Sequence, residues 1–112
     1  MISLQDVQAA KARLSPYIVR TPLLRIPALD EALGCEVYLK FEGFQVMGAF
    51  KIRGAMNKAL SLSPEELAKG LGISTSAVVM YEAGNRIPRD EIKIKIAEYF
   101  GLPVESIFYP TV

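Results

Sequence analysis

Leu4, Val7, Ala10 and Leu14 recur at helical spacing behind Ser3, which predicts a helix over 4–14 with Ser3 as its N-cap and one apolar face. Pro16 ends it, because a residue before proline is pushed out of the helical region. Residues 21–26 read as a short extended segment, and Pro27 opens and Gly34 closes a two-turn helix. Over 36–42 the polarity alternates. Val37, Leu39 and Phe41 share one side and Tyr38, Lys40 and Glu42 the other, the pattern of a strand with one buried face.

Beyond Gly48 the period becomes helical, and Phe50, Ile52, Ala55, Met56, Ala59 and Leu60 line one stripe of a helix over 50–60, weakened by Gly54. Ser63-Pro64-Glu65-Glu66 is a capping box with proline at the first helical position. Gly70 and Gly72 bring that helix to an end. Ser74 caps another running to about residue 83, where Gly84 stops it. After the polar turn Asn85-Arg86, Pro88 precedes a helix over 89–100 with Ile92, Ile96, Ala97 and Phe100 on its inner face, and Gly101 terminates it. A last turn over 104–108 places Val104, Ile107 and Phe108 to close the core.

Composition narrows the class. The 112 residues are 51% hydrophobic and 22% charged, a globular balance rather than that of a disordered chain. The net charge of +1 hides an asymmetry. Residues 1–62 hold eight Lys/Arg against five Asp/Glu, and residues 63–112 five against seven, so the parts carry +3 and −2. Cys35 is the one cysteine and histidine is absent, which excludes an internal disulfide and a multi-cysteine metal site and argues against structural zinc. Cys35 is expected to be a small apolar core residue. Residues 1–14 lack a signal-type apolar core and a membrane-length run, so the expected location is the cytoplasm, with no membrane partner.

Three stretches carry a resemblance: S-P-Y-I-V-R-T-P-L-L at 15–24, V-Y-L-K-F-E at 37–42, and G-A-F-K-I-R-G-A at 48–55 followed by N-K-A-L-S-L-S-P-E-E. Over residues 3 to about 70 the chain resembles the N-terminus of the threonine dehydratase and serine racemase group, the fold-type-II pyridoxal-phosphate enzymes. The resemblance implies that Lys51 holds the place of the Schiff-base lysine. Such a lysine needs a buried pocket that lowers its pKa. The family's glycine-rich phosphate loop, its Ser-x-Gly-Asn-His loop and its partner for the pyridine nitrogen have no counterpart among these residues, and Ala83-Gly84-Asn85 matches the asparagine loop only superficially. The expectation is therefore an idle Lys51, no cofactor, no metal and no enzyme.

Residues 63–108 carry a second pattern, L-S-P-E-E-L-A-K-G-L-G-I-S-T-S-A-V-V-M-Y-E-A-G-N-R-I-P-R from Leu62 followed by I-A-E-Y-F-G-L-P-V-E-S-I-F. It resembles the Cro and phage-repressor type of helix-turn-helix domain. Leu67, Ala68, Leu71, Ile73, Ala77, Val78 and Tyr81 would form its interior, and Gly72 its turn. The resemblance implies DNA contacts at Ser74, base-edge readers at Thr75, Ser76, Val79 and Met80, and phosphate contacts at Asn85, Arg86 and Arg89. Pro64 stands where the family usually has glutamine, and Val79 where it usually has a polar residue. Lys58 is the candidate to replace the family's arginine that pairs with the glutamate corresponding to Glu82.

L-S-P-E-E-L-A-K-G at 62–70 suits both families, so the seam falls in a stretch that both tolerate. The expected fold is α+β: a small α/β fragment with a two-stranded sheet over 1–62, fused through a shared helix at 50–60 to a helix-turn-helix bundle over 63–112. In that arrangement Ile52, Met56, Ala59 and Leu60 pack on Leu67, Ala77 and Ile96. Two functional readings stay open: a recombined or engineered chimera that keeps a helix-turn-helix scaffold and has no evolved catalytic activity, and a transcriptional-regulator-like protein that binds double-stranded DNA as a homodimer.

Overall fold

The structure, a computed structural model, describes residues 1–109. Its contacts divide the chain into two compact units, Met1–Arg53 and a second beginning at Gly54. The helix Lys51–Ser61 crosses that boundary.

In the first unit, α1 (Leu4–Leu14) starts with a full capping box: the Ser3 hydroxyl accepts from the Asp6 amide at 3.2 Å and the Asp6 carboxylate accepts from the Ser3 amide at 2.7 Å. Strand β1 (Leu23–Arg25) pairs antiparallel with β2 (Tyr38–Lys40), Leu24 opposite Leu39, and α2 (Pro27–Leu33) lies between them in the chain. Gly34 closes α2 in the left-handed region at φ +69°. Asp30 on α2 ties this hairpin-like unit together, since its carboxylate accepts from the Arg25 guanidinium at 2.5 Å and from the Val37 amide at 2.6 Å.

The predicted strand over 36–42 is shortened. Its last residue enters a 3-10 turn, Glu42–Phe44, followed by a second, Val46–Gly48. Nor is one face buried: every residue of both strands is exposed, Leu39 included, because no layer of this unit covers the sheet. The expected inner face of α1 is likewise mostly open, with Leu14 buried but Leu4 and Val7 exposed. Cys35 is exposed too, just past the end of α2, and so is not the core residue expected.

Half of what the unit buries is polar. Besides Leu14 and Ile52, its buried side chains are Thr21 and Gln45. The Gln45 amide group bonds both backbone groups of Val19, accepting from the N–H and donating to the C=O at 2.8 Å each. Glu42 accepts from the Thr21 hydroxyl at 2.5 Å and from two Arg53 nitrogens at 2.8 Å each. The Arg53 fork, and then Thr21, hold the Glu42 carboxyl at about 2, well below its ordinary 4.5.

The second unit is helical: the remainder of α3 (Lys51–Ser61), then α4 (Pro64–Leu71), α5 (Thr75–Glu82), α6 (Asp90–Phe100) and α7 (Val104–Phe108). The Ser63–Glu66 capping box forms as expected, at 2.8 and 3.1 Å. Ala68, Leu71, Ala77, Val78 and Ala97 are buried, so α4, α5 and α6 meet through small and medium side chains. Leu67, Ile73 and Tyr81 are half-buried, as are Ile92, Ile96, Phe100 and the inward residues of α7. Leu60 is exposed, against the inner position expected for it. Gly70 lies inside α4 and does not end it; Gly72 does, at φ +67°. A Cβ at residue 70 would meet the outer end of the Tyr99 ring at 2.7 Å, so that ring would have to shift to admit a larger residue.

Lys58 does not reach toward Glu82 as expected; its ammonium sits 4.0 Å from the centre of the Tyr99 ring, which Phe100 also meets edge-on.

Two outcomes check this account. Gly70→Ala should lower the unfolding midpoint of the helical unit by the equivalent of about 1 kcal/mol, because overpacking of about 1–3 kcal/mol exceeds the helix-propensity gain of about 1 kcal/mol. A rise in the midpoint would mean that the Tyr99 ring swings aside freely. The second outcome concerns pH. A carboxyl depressed on folding contributes stability that is present above its unfolded value near 4.5 and lost as pH falls through about 2. Urea midpoints of the first unit should therefore fall across that window, and Glu42→Gln should flatten the dependence.

Candidate functional site

Two places carry the residues singled out by the sequence, one in each unit. In the helical unit the Gly72 turn delivers the chain into Ser74, whose hydroxyl caps α5 by accepting from the Ala77 amide at 3.2 Å and lies 3.2 Å from the Ser76 hydroxyl. Ala77 and Val78 face inward and are buried. This fixes the helix's rotation, so Ser76, Val79 and Met80, spaced one helical turn apart, share the exposed side. Thr75 is half-buried and Ser74 exposed.

The loop that follows α5 holds Asn85, Arg86 and Arg89, all exposed. Its path is set by the Asn85 amide donating to the Met80 carbonyl at 3.0 Å, by Gly84 at φ +73°, and by Pro88, which is buried. The Arg86 guanidinium lies 6.0 Å from the centre of the Tyr81 ring. Ile87 was not singled out by the sequence pattern, yet it is 80% exposed between Arg86 and Pro88. No periodicity signals it, because it belongs to no helix face. The surface thus pairs apolar and hydroxyl groups on α5 with two cations beyond it, and Glu82 is exposed beside them.

In the first unit Lys51 is the first residue of α3 and is exposed. The chain reaches it through Met47 and Gly48, both in the left-handed region at φ +66° and +68°, and then through extended Ala49. Two residues on, the Glu42–Arg53 pair fixes the opening turn of α3. The Lys51 amine makes no hydrogen bond or ion pair among the described residues, and its neighbour Phe50 is 65% exposed. The Lys51 amine is thus accessible and unengaged among the described residues. The described residues do not themselves desolvate it.

A family model described as "Pyridoxal-phosphate dependent enzyme" matches residues 14–85. The chain belongs to that family. An L-threonine ammonia-lyase of Thermotoga maritima is 40% identical over 107 residues, which is 96% of this chain but 24% of that protein. A serine racemase of Dictyostelium discoideum is 40% identical over 84 residues, 75% of this chain and again 24% of its own length. Among solved structures, maize serine racemase superposes with a TM-score of 0.52 at 31% identity, covering 88% of this chain and 34% of that one.

The chain therefore spans about a quarter of the length of the curated relatives it matches. These matches bear out the resemblance over the N-terminal part and overturn the expectation of no enzyme: its relatives are pyridoxal-phosphate enzymes, of which it covers a fragment, and the match extends past Lys51 and through α5. Among the described residues no helix is long and apolar enough to cross a membrane.

Removing the Ser74 hydroxyl checks how the exposed face of α5 is set. Ser74→Ala should destabilise the helical unit by about 1 kcal/mol, the usual cost of a lost N-cap, read from its denaturant midpoint. An unchanged midpoint would show that packing of Ala77 and Val78 alone orients the helix.

Proposed function

We propose that the chain joins the opening segment of a pyridoxal-phosphate enzyme to a helix-turn-helix module, and that this module docks on duplex DNA. The observation that supports this most is the succession of α4, the left-handed Gly72 turn and α5, with Ser76, Val79 and Met80 together on an exposed side and Asn85, Arg86 and Arg89 directly after it. In this reading α5 enters the major groove and the loop cations meet phosphates.

The exposed side of α5 carries no Arg, Lys, Asn or Gln. Bidentate base pairing is therefore absent from it, and the base-directed chemistry is apolar contact of Val79 and Met80 with thymine methyl groups. Such contact discriminates weakly. With −2 over residues 63–112, affinity rests on the few local cations, and two copies addressing two half-sites supply the rest.

Anisotropy titration of a labelled duplex tests the reading. Binding should be measurable at low salt and weaken as salt rises, and Arg86→Ala and Arg89→Ala should each reduce the salt slope by about 1. No binding at low salt overturns it.

The family match favours a second role, that of Lys51 as the anchor for pyridoxal phosphate in a polypeptide that supplies the rest of the site. The cofactor, when bound, provides an electron sink for bond breaking at an amino acid's α-carbon. What these residues contribute is position: the Glu42–Arg53 pair holds the opening turn of α3, and Gly48 lets the chain turn into it. A saturable absorbance change on adding pyridoxal phosphate, lost in Lys51→Ala, supports this role. An equal, unsaturating change in both proteins overturns it.

A further inference from the structure

The first unit contains a cavity of about 410 Å³ that neither role above uses. Lys11 and Ser15 enter it from the last turn of α1, Arg20 from the extended segment after it, Lys40 from the end of β2 and Arg53 from the start of α3, with two aliphatic side chains completing the wall. Among the described residues no carboxylate lines it. Arg53 is already engaged by Glu42 at 2.8 Å. The other three cations are not so matched: Lys40 donates to the Thr21 carbonyl at 3.0 Å, a neutral partner, and neither Lys11 nor Arg20 has an ion pair or hydrogen bond among the described residues.

Three uncompensated charges around one concavity repel one another and focus a positive field into it. Four separate stretches of chain converge to produce this, which distinguishes it from a solvated run of surface lysines. The volume falls in the range of small-molecule sites and exceeds what a single inorganic ion fills. Arg20 offers a planar fork of donors, suited to the paired oxygens of a phosphoryl group, and the Ser15 hydroxyl offers a further donor.

We propose that this cavity is a binding site for a small phosphorylated anion carrying two or more negative charges. Lys11, Arg20 and Lys40 neutralise it, and Arg53, fixed by Glu42, forms the floor. The site is separate from Lys51, which does not line the cavity, and the proposal rests on neither the DNA reading nor the cofactor reading.

The test is titration of the intact 112-residue chain with inorganic pyrophosphate at constant ionic strength, followed by amide chemical shifts. Citrate serves as a polycarboxylate of similar charge and sodium chloride as the screening control. Pyrophosphate should saturate, with the largest shifts between Lys11 and Arg20 and at Lys40, and Lys11→Gln with Arg20→Gln should weaken it at least tenfold. Neither side chain has a partner among the described residues, so the double variant should keep the wild-type dispersion elsewhere; Arg20→Lys, which keeps the charge without the fork, should weaken binding less. Citrate binding as tightly as pyrophosphate would overturn the phosphate assignment. Shifts that follow ionic strength alone, or an affinity unchanged in the double variant, would overturn the site.

Discussion

A single carboxylate organises the first unit. Glu42 takes the Thr21 hydroxyl on one side and the Arg53 guanidinium on the other, joining the segment after α1, the turn after β2 and the opening of α3. Leu14 and Ile52 are the buried apolar residues of that unit, so an apolar core of ordinary size is not what holds it. Charge-assisted hydrogen bonds are directional, and a part-buried carboxylate with three donors fixes angles that a few methyl groups would leave loose. Gln45 adds to this by bonding both backbone groups of Val19, much as a paired strand would. The sheet can then be two three-residue strands with both faces open, because the sheet is not what the unit is built around.

The helical unit is held in the opposite way. Among the described residues its buried positions are alanines, a leucine, a valine and Pro88, which let helices approach closely with little side chain between them. Gly70 extends this by leaving room for the Tyr99 ring, on which Lys58 then lies. Tight packing of Ala77 and Val78 is what turns Ser76, Val79 and Met80 outward, so the exposed face of α5 is a consequence of its buried one.

Membership of a pyridoxal-phosphate enzyme family places Lys51 in a context that composition alone would not suggest, and it is the first residue of a helix whose opening turn carries the Glu42–Arg53 pair. The same match runs to residue 85, across the Gly72 turn and α5. The capping box at Ser63 lies inside that match, and it begins a good helix in whatever fold surrounds it.

Local signals were legible in the sequence wherever the physics is local. The caps at Ser3, Ser63 and Ser74 and the stops at Gly34, Gly72 and Gly101 fix helix ends through backbone groups a few residues away, and the helices fall where spacing and capping place them. Burial is not local. Alternation in residues 36–42 announced a buried face that nothing in the first unit covers, and Cys35, Leu4, Val7 and Leu60 are exposed although their chemistry suits an interior. Nor could spacing show that Glu42 meets both Thr21 and Arg53, that Lys58 chooses Tyr99, or that Lys11, Arg20 and Lys40 surround one cavity. Those depend on which distant segments meet, and only the tertiary structure brings them together.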